Sequence, residues 1–241
     1  MTNLGSRWRL ARQPSGAEST LELVAHRGAP RELPENTVPS FLRALERGAP
    51  SVELDTHVTA DGEVVVHHDH AAQRLPIRTT SWADLSRLDL GDGARIPKLS
   101  EVLDAIGDRA MVYIELKGFS VENEVLAIAQ KHGRRFLLHS FDNNAIQRVR
   151  DREPSIRTGL LFERDTRNAP DVMRRAVERI RPDDVWPHWS LVDEPFMRTA
   201  QELGVRVISW TVNTPDMARD FAALGVDGVC TDDVRLLANQ G

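Results

Sequence analysis

The chain has 241 residues and a mass of 27.0 kDa, the size of one large domain. A 41% hydrophobic content supports a substantial core, while 31 basic against 36 acidic side chains leave a net charge of −5 and no global basic field for nucleic acid or an anionic membrane. The single cysteine, Cys230, excludes a disulfide scaffold and any multi-cysteine metal site.

Met1–Thr20 carries Arg7, Arg9 and Arg12 but no apolar stretch of signal-peptide length, and no later run is long enough to span a bilayer. The expectation is a cytoplasmic protein without stable membrane insertion, with residues 1–20 as a short disordered tail and 21–241 as a single domain. From residue 21, short apolar runs alternate with longer amphipathic ones. The strands predicted in chain order are Leu21–His26, Ser51–Thr56, Met111–Lys117, Phe136–Ser140, Ile156–Leu161, Asp184–His188, Val205–Trp210 and Val226–Cys230. Helical patterns lie between them, at Thr37–Arg47, Leu99–Ile106 and Val121–Lys131. Eight strand–helix alternations in about 220 residues predict an α/β fold, a (β/α)8 TIM barrel. An open doubly wound sheet fits less well, because no glycine-rich phosphate turn follows the first strand. One segment breaks the alternation: Asp61-Gly62 marks a tight turn, Glu63–His68 reads as the return of a hairpin, and residues 69–98 read as a small irregular excursion punctuated by Pro76 and Pro97.

In such a barrel the chemistry sits where strands end. Those ends are polar here: His26-Arg27-Gly28 after the first strand, Glu53 and Asp55 in the second, Glu115 and Lys117 in the third, and His139 in the fourth. Residues two apart on a strand share a face, so Glu53 pairs with Asp55 and Glu115 with Lys117. If that face is the barrel interior, three carboxylates converge and need a cation or protons to relieve their repulsion. Oxygen-only ligation favours one hard divalent ion, Ca2+ or Mg2+, over zinc.

Half of the eight histidines, His57, His67, His68 and His70, fall within fourteen residues. Strand parity assigns His68 to the site and predicts the other three to face solvent. His139 reads either as a third site histidine or as a buried, hydrogen-bonded core residue, and the second reading is favoured. The mouth then offers two imidazoles, His26 and His68, for acid and base work near neutral pH, with Arg27, Lys117 and the cation to neutralise a phosphoryl group. That set suits phosphodiester cleavage.

The motifs His26-Arg27-Gly28, Glu35-Asn36-Thr37, Glu53-Leu54-Asp55, Thr59-Ala60-Asp61-Gly62 and His68-Asp69 resemble those of the glycerophosphodiester phosphodiesterase family. Ile96-Pro97-Lys98-Leu99, Glu115-Leu116-Lys117, Ser140-Phe141, Trp210-Thr211-Val212-Asn213 and Asp227-Gly228-Val229 extend the likeness across most of residues 22–232. The resemblance implies a barrel hydrolase that releases sn-glycerol 3-phosphate and an alcohol from deacylated phospholipids. By similarity, His26 and His68 are the acid–base pair. Glu53, Asp55 and Glu115 would bind the cation, Arg27 and Lys117 the phosphate, and Trp210 the glycerol, although Trp210 reads equally well as core. The implied chemistry is attack by the substrate's own glycerol 2-hydroxyl, giving a cyclic phosphate that water opens. The substrate is a small glycerophosphodiester and no nucleic-acid partner is expected.

The chain departs from the family pattern after His68-Asp69, where Arg78-Thr79-Thr80 is displaced downstream, and at His139, where a small polar residue is more usual. Two other readings stand beside the main one: a phospholipase D-like cleavage of lysophospholipids, and a noncatalytic barrel that binds a phosphorylated ligand. Composition adds one argument. Only Lys98, Lys117 and Lys131 among the basic residues are lysine, so Lys117 stands out as a compact charge kept where arginine is otherwise used.

Overall fold

The computed structural model describes residues 21–239 apart from Phe119 and Arg134, with the backbone alone at 237–239. The expected tail, residues 1–20, lies outside the described residues. Eight parallel strands close on themselves: β1 (Glu22–His26), β2 (Ser51–Val58), β6 (Met111–Leu116), β7 (Phe136–Ser140), β8 (Thr158–Phe162), β9 (Asp184–Pro187), β10 (Arg206–Ser209) and β11 (Gly228–Thr231). β11 pairs with β1, and β1 with β2, so the sheet has no open edge among these eight. β3 (Val64–Val66) turns back antiparallel on β2, pairing Val58 with Val64. The fold is the predicted TIM barrel, and the Asp61-Gly62 hairpin stands where the turn chemistry puts it.

The barrel helices are α1 (Val38–Glu46), α3 (Leu99–Ile106), α4 (Glu122–His132), α5 (Asn143–Arg152), α6 (Ala169–Ile180), α7 (Glu194–Leu203) and α8 (Pro215–Leu224). Their starts are written in the sequence. Thr37, Asp193 and Thr214 cap α1, α7 and α8 with their side-chain oxygens, each followed by a proline in the first turn. Several strands begin later than the apolar pattern suggests. Ile156 and Val226 precede β8 and β11 because apolar residues in the helix-to-strand turns are also packed inward; Val226 is buried and donates to the Phe221 carbonyl. Between the strands and the helices lies the main core, with Phe41, Leu54, Ile114, Leu138 and Phe196 fully buried. Inside the barrel a smaller cluster contains Val24, Tyr113, Leu137, Leu161, Trp186, Ile208 and Cys230.

The lower end of the barrel is closed by charge. Asp184 is wholly buried, 3.4 Å from both Arg157 and Arg206, and Arg206 reaches Glu22 at 2.6 Å, which also accepts from the Tyr113 hydroxyl at 2.9 Å. Burial pushes Asp184 up to about 6 against the pull of both guanidinium groups.

The excursion is more ordered than its sequence suggests. It holds a hairpin of β4 (Ala71–Ala72) and β5 (Leu75–Pro76), a 3-10 turn at Ile77–Thr79 and a short α2 (Trp82–Leu85). Val65, Ala72, Ile77, Leu85 and Ile96 form a core of their own there. Its apolar residues are spaced with neither helical nor strand period, which is why the pattern reads as irregular.

Candidate active site

The upper end of the barrel opens into a cavity of about 440 Å³ lined by His26, Arg27, Glu53, His68, Glu115 and Lys117, with Phe141 and Trp210 on the far wall. Backbone geometry aims the first of these. Arg27 sits at φ 56° and Gly28 at φ 89°, and a Cβ on Gly28 would lie 2.6 Å from Ser40 Oγ and 2.7 Å from its carbonyl carbon. Only glycine lets the chain turn this tightly over the start of α1. The turn brings the Arg27 amide to 3.0 Å from the Glu53 carbonyl and 3.3 Å from its carboxylate.

Each proposed imidazole has Nδ1 tied to an aspartate. His26 Nδ1 donates to Asp232 at 2.6 Å and His68 Nδ1 to Asp69 at 2.8 Å, which leaves both Nε2 atoms for the cavity. Asp232 is itself held by Asn213, whose amide donates at 2.8 Å and whose carbonyl accepts the Asp232 N–H at 2.9 Å. Burial lowers His68, and the nearby Arg27 charge lowers it further.

Glu53, Asp55 and Glu115 converge as strand parity predicts: one oxygen from each lies within 4.8 Å of the others, and all three are buried. Arg27 Nε is 3.2 Å from Asp55, and Lys117 Nζ is 3.4 Å from Asp55 and 3.3 Å from Glu115. Asn36 donates to Asp55 at 2.8 Å. Two cations do not neutralise three carboxylates. Burial and then Asp55 push Glu115 up to about 8, and burial, Asp55 and Glu115 push Glu53 well up, whereas Arg27 and Lys117 hold Asp55 near 2 in spite of its burial. Asp55 Oδ1 is buried without a hydrogen bond. A cluster of oxygen donors short of positive charge, with a buried oxygen whose one close cation, Lys117 at 3.4 Å, makes no hydrogen bond to it, fits a hard divalent cation.

Two histidines differ from expectation. His57 does not face solvent: β2 runs on to Val58, so His57 continues the Glu53–Asp55 face and is 5% exposed. Its Nε2 lies 3.2 Å from the His68 carbonyl, its ring stacks edge-on to His70 at 5.2 Å, and burial lowers it to about 4, keeping it neutral. Ending the strand at Thr56 hid this. His139 is buried, at 1% exposure, but it is not hydrogen-bonded: neither ring nitrogen has a partner. His67 is half-buried and His70 is exposed at the cavity. Trp210 is half-buried and lines the cavity. Its Nε1 donates to the Trp186 carbonyl at 2.9 Å while its ring meets Phe141 at 5.6 Å on the cavity wall. No role for Asp232 or Asn213 was read from the sequence: barrel closure sets the last strand beside the first, but Asp232 lies beyond the strand end, where parity does not say which side chain reaches His26.

Known proteins resemble this chain in sequence and in fold. The chain is 29% identical over 237 residues to the glycerophosphodiester phosphodiesterase of Caldanaerobacter subterraneus subsp. tengcongensis, covering 90% of this chain and 96% of that one. It is similar to the crystal structure of the glycerophosphodiester phosphodiesterase from Thermotoga maritima, with a TM-score of 0.80, 28% identity and coverage of 92% and 98%. An Oleispira antarctica phosphodiesterase, solved in complex with the product sn-glycerol-3-phosphate, shares the fold at TM-score 0.81 and 24% identity, with coverage of 90% and 95%. The model of the glycerophosphoryl diester phosphodiesterase family matches residues 26–236, and the chain belongs to that family of enzymes.

Proposed function

We propose that the protein hydrolyses glycerophosphodiesters to sn-glycerol 3-phosphate and an alcohol. The observation that carries this reading is the pair of imidazoles, each fixed by an aspartate at Nδ1, lining one cavity with the three-carboxylate cluster. One Nε2 takes the proton from the glycerol 2-hydroxyl as that oxygen bonds to phosphorus, and the other gives a proton to the alkoxide that leaves. Water then opens the cyclic phosphate with the roles reversed. Arg27 and Lys117 neutralise the phosphoryl oxygens, and Trp210 and Phe141 wall the glycerol. Glu53, Asp55 and Glu115 would hold Ca2+ or Mg2+, which supplies positive charge for the phosphoryl group. Residues 21–241 act as one catalytic domain in this proposal.

Turnover of glycerophosphocholine, followed by coupled detection of glycerol 3-phosphate, is expected to vanish with a chelator and return with Ca2+ or Mg2+. Activity indifferent to chelation would remove the cation from the proposal. A second reading has one feature in its favour: from Phe141 and Trp210 the aromatic wall continues through His188, 5.2 Å from the Trp210 ring, to Trp189, which is 41% exposed. That line could seat an acyl chain, and faster turnover of lysophosphatidylcholine than of glycerophosphocholine would favour it. Among the described residues no helix is long and apolar enough to cross a membrane.

The carboxylate cluster gives a pH signature. A carboxyl raised by folding contributes stability below its ordinary value and loses it as the pH climbs through the folded value, about 8 for Glu115. The lowered histidines act on the acid side of 6.5, and Asp184 has titrated by about 6. Between pH 6.5 and 8 the cation-free protein is therefore expected to lose up to about 2 kcal/mol per raised carboxyl. Thermal unfolding should show a larger gain from saturating Ca2+ or Mg2+ at pH 8 than at pH 6.5; equal gains would count against the cluster as the binding site.

A further inference from the structure

His139 is a buried polar side chain in the barrel interior that the proposed reaction leaves unused. It stands on β7 with Leu137, facing the axis, and in the parallel register its neighbour is Gly159 of β8. A Cβ at Gly159 would come within 3.1 Å of His139 Cβ and of Trp186 Cδ1 and Nε1, so a glycine on the adjoining strand makes the slot that the imidazole occupies. Tyr113 and Trp186 wall that slot, with ring centroids 6.4 and 4.5 Å away and Trp186 edge-on. The ring thus has little freedom to turn. Its Nε2 lies 3.8 Å from Glu53 Oε1, while the other Glu53 oxygen accepts from the Arg27 amide at 3.3 Å and lies 3.9 Å from His26 Nε2.

Leaving both nitrogens of a buried imidazole unpaired costs free energy that a leucine in the same slot would not incur. A fold seeking stability alone has no reason to keep it. A neutral imidazole in that slot carries one N–H. Glu53 is an acceptor that needs that N–H chiefly when ionised, which is the state a bound cation imposes.

We infer that His139 is a positioning residue for Glu53, its Nε2–H closing on Glu53 Oε1 when the cluster takes a divalent cation and fixing the carboxylate's rotation toward the ion. The inference rests on the cation reading of the cluster. It assigns to His139 an outer contact of the kind that orients a metal-binding side chain without touching the metal.

The test is titration of Mg2+ and of Ca2+ alone into the full-length protein by calorimetry, comparing the parent with His139→Leu and His139→Gln. His139→Leu removes the donor and fills the slot, so it is expected to bind the cation about 10- to 100-fold more weakly. Its melting temperature in chelator should be no lower than the parent's. His139→Gln keeps an N–H of similar reach and should recover most of the affinity, and KM for glycerophosphocholine at saturating cation should stay constant across the set. Parent-like affinity in His139→Leu, or a glutamine variant as weak as the leucine one, would overturn the inference. Absence of cation binding by the parent would instead bring down the cation reading, and the inference with it.

Discussion

His26→Ala is expected to lower kcat for glycerophosphocholine by about 10²- to 10⁴-fold, the range a general acid or base contributes. The loss should fall on kcat, because the groups proposed to bind phosphate, Arg27 and Lys117, are held by Asp55, Glu35 and Glu115 and not by His26. Cation affinity should change little. The nearest carboxylate oxygen is 3.9 Å from His26 Nε2, and Glu53 keeps its bond from the Arg27 amide. Asp232→Asn should give a smaller loss of the same kind, since the ring would remain in place while the 2.6 Å contact that fixes its Nδ1 proton is weakened. The measurement is the coupled assay at saturating Ca2+ or Mg2+, with thermal unfolding as the control for folding. Full activity in His26→Ala would sink the proposed division of acid and base work between His26 and His68.

The largest loss of stability is expected at the opposite end of the barrel. Arg206→Ala should destabilise the protein by about 3–5 kcal/mol, because it strips the main partner from buried Asp184 and from Glu22 together. Arg157, 3.4 Å from Asp184, would remain as partial compensation. The sign of the pH dependence follows from Asp184. Its folded value, about 6, already exceeds the ordinary 3.8, so its contribution to stability is present at low pH and lost as the pH rises through the folded value. Removing Arg206 raises that value further. Urea unfolding should therefore show a larger deficit at pH 8 than at pH 5, and Asp184→Asn in the Arg206→Ala background should restore part of it. A deficit independent of pH would mean that lost packing dominates and buried charge does not.

The barrel was legible in the sequence because a parallel strand buried on both faces is a near-continuous apolar run, and eight such runs alternate with amphipathic segments. The carboxylate cluster was legible because parity on a strand is a strict rule: Glu53 and Asp55 had to share a face, and pairing of β2 with β6 then sets Asp55 opposite Glu115. The supporting contacts were not. Asp232 reaches His26 across 206 positions of chain, and only closure of the barrel by β11 against β1 brings them together. His57 was misplaced by a strand end set two residues short, an error that parity turns into a wrong face only when the strand is believed to stop. His139 was placed correctly as buried, but burial says nothing about whether a partner exists. That depends on Gly159, Tyr113 and Trp186, which lie on three other strands.

The excursion after β3 bears on how this scaffold can vary. His26 belongs to the barrel wall, whereas His68 leaves the hairpin beside a segment whose interior is Ile77, Leu85 and Ile96, joined to the rest by bonds such as Val66 N–H to the Pro97 carbonyl. His68 is nevertheless pinned to the barrel, since the His67 amide donates to the Asp55 carbonyl at 3.0 Å and His57 Nε2 lies 3.2 Å from the His68 carbonyl, so both imidazoles are referenced to the barrel strands. The smaller core instead backs the rim at His70, whose carbonyl accepts from the Ile77 amide at 2.9 Å, while the carboxylate cluster is built wholly on β2 and β6. The scaffold thus sets a replaceable rim around a fixed anvil.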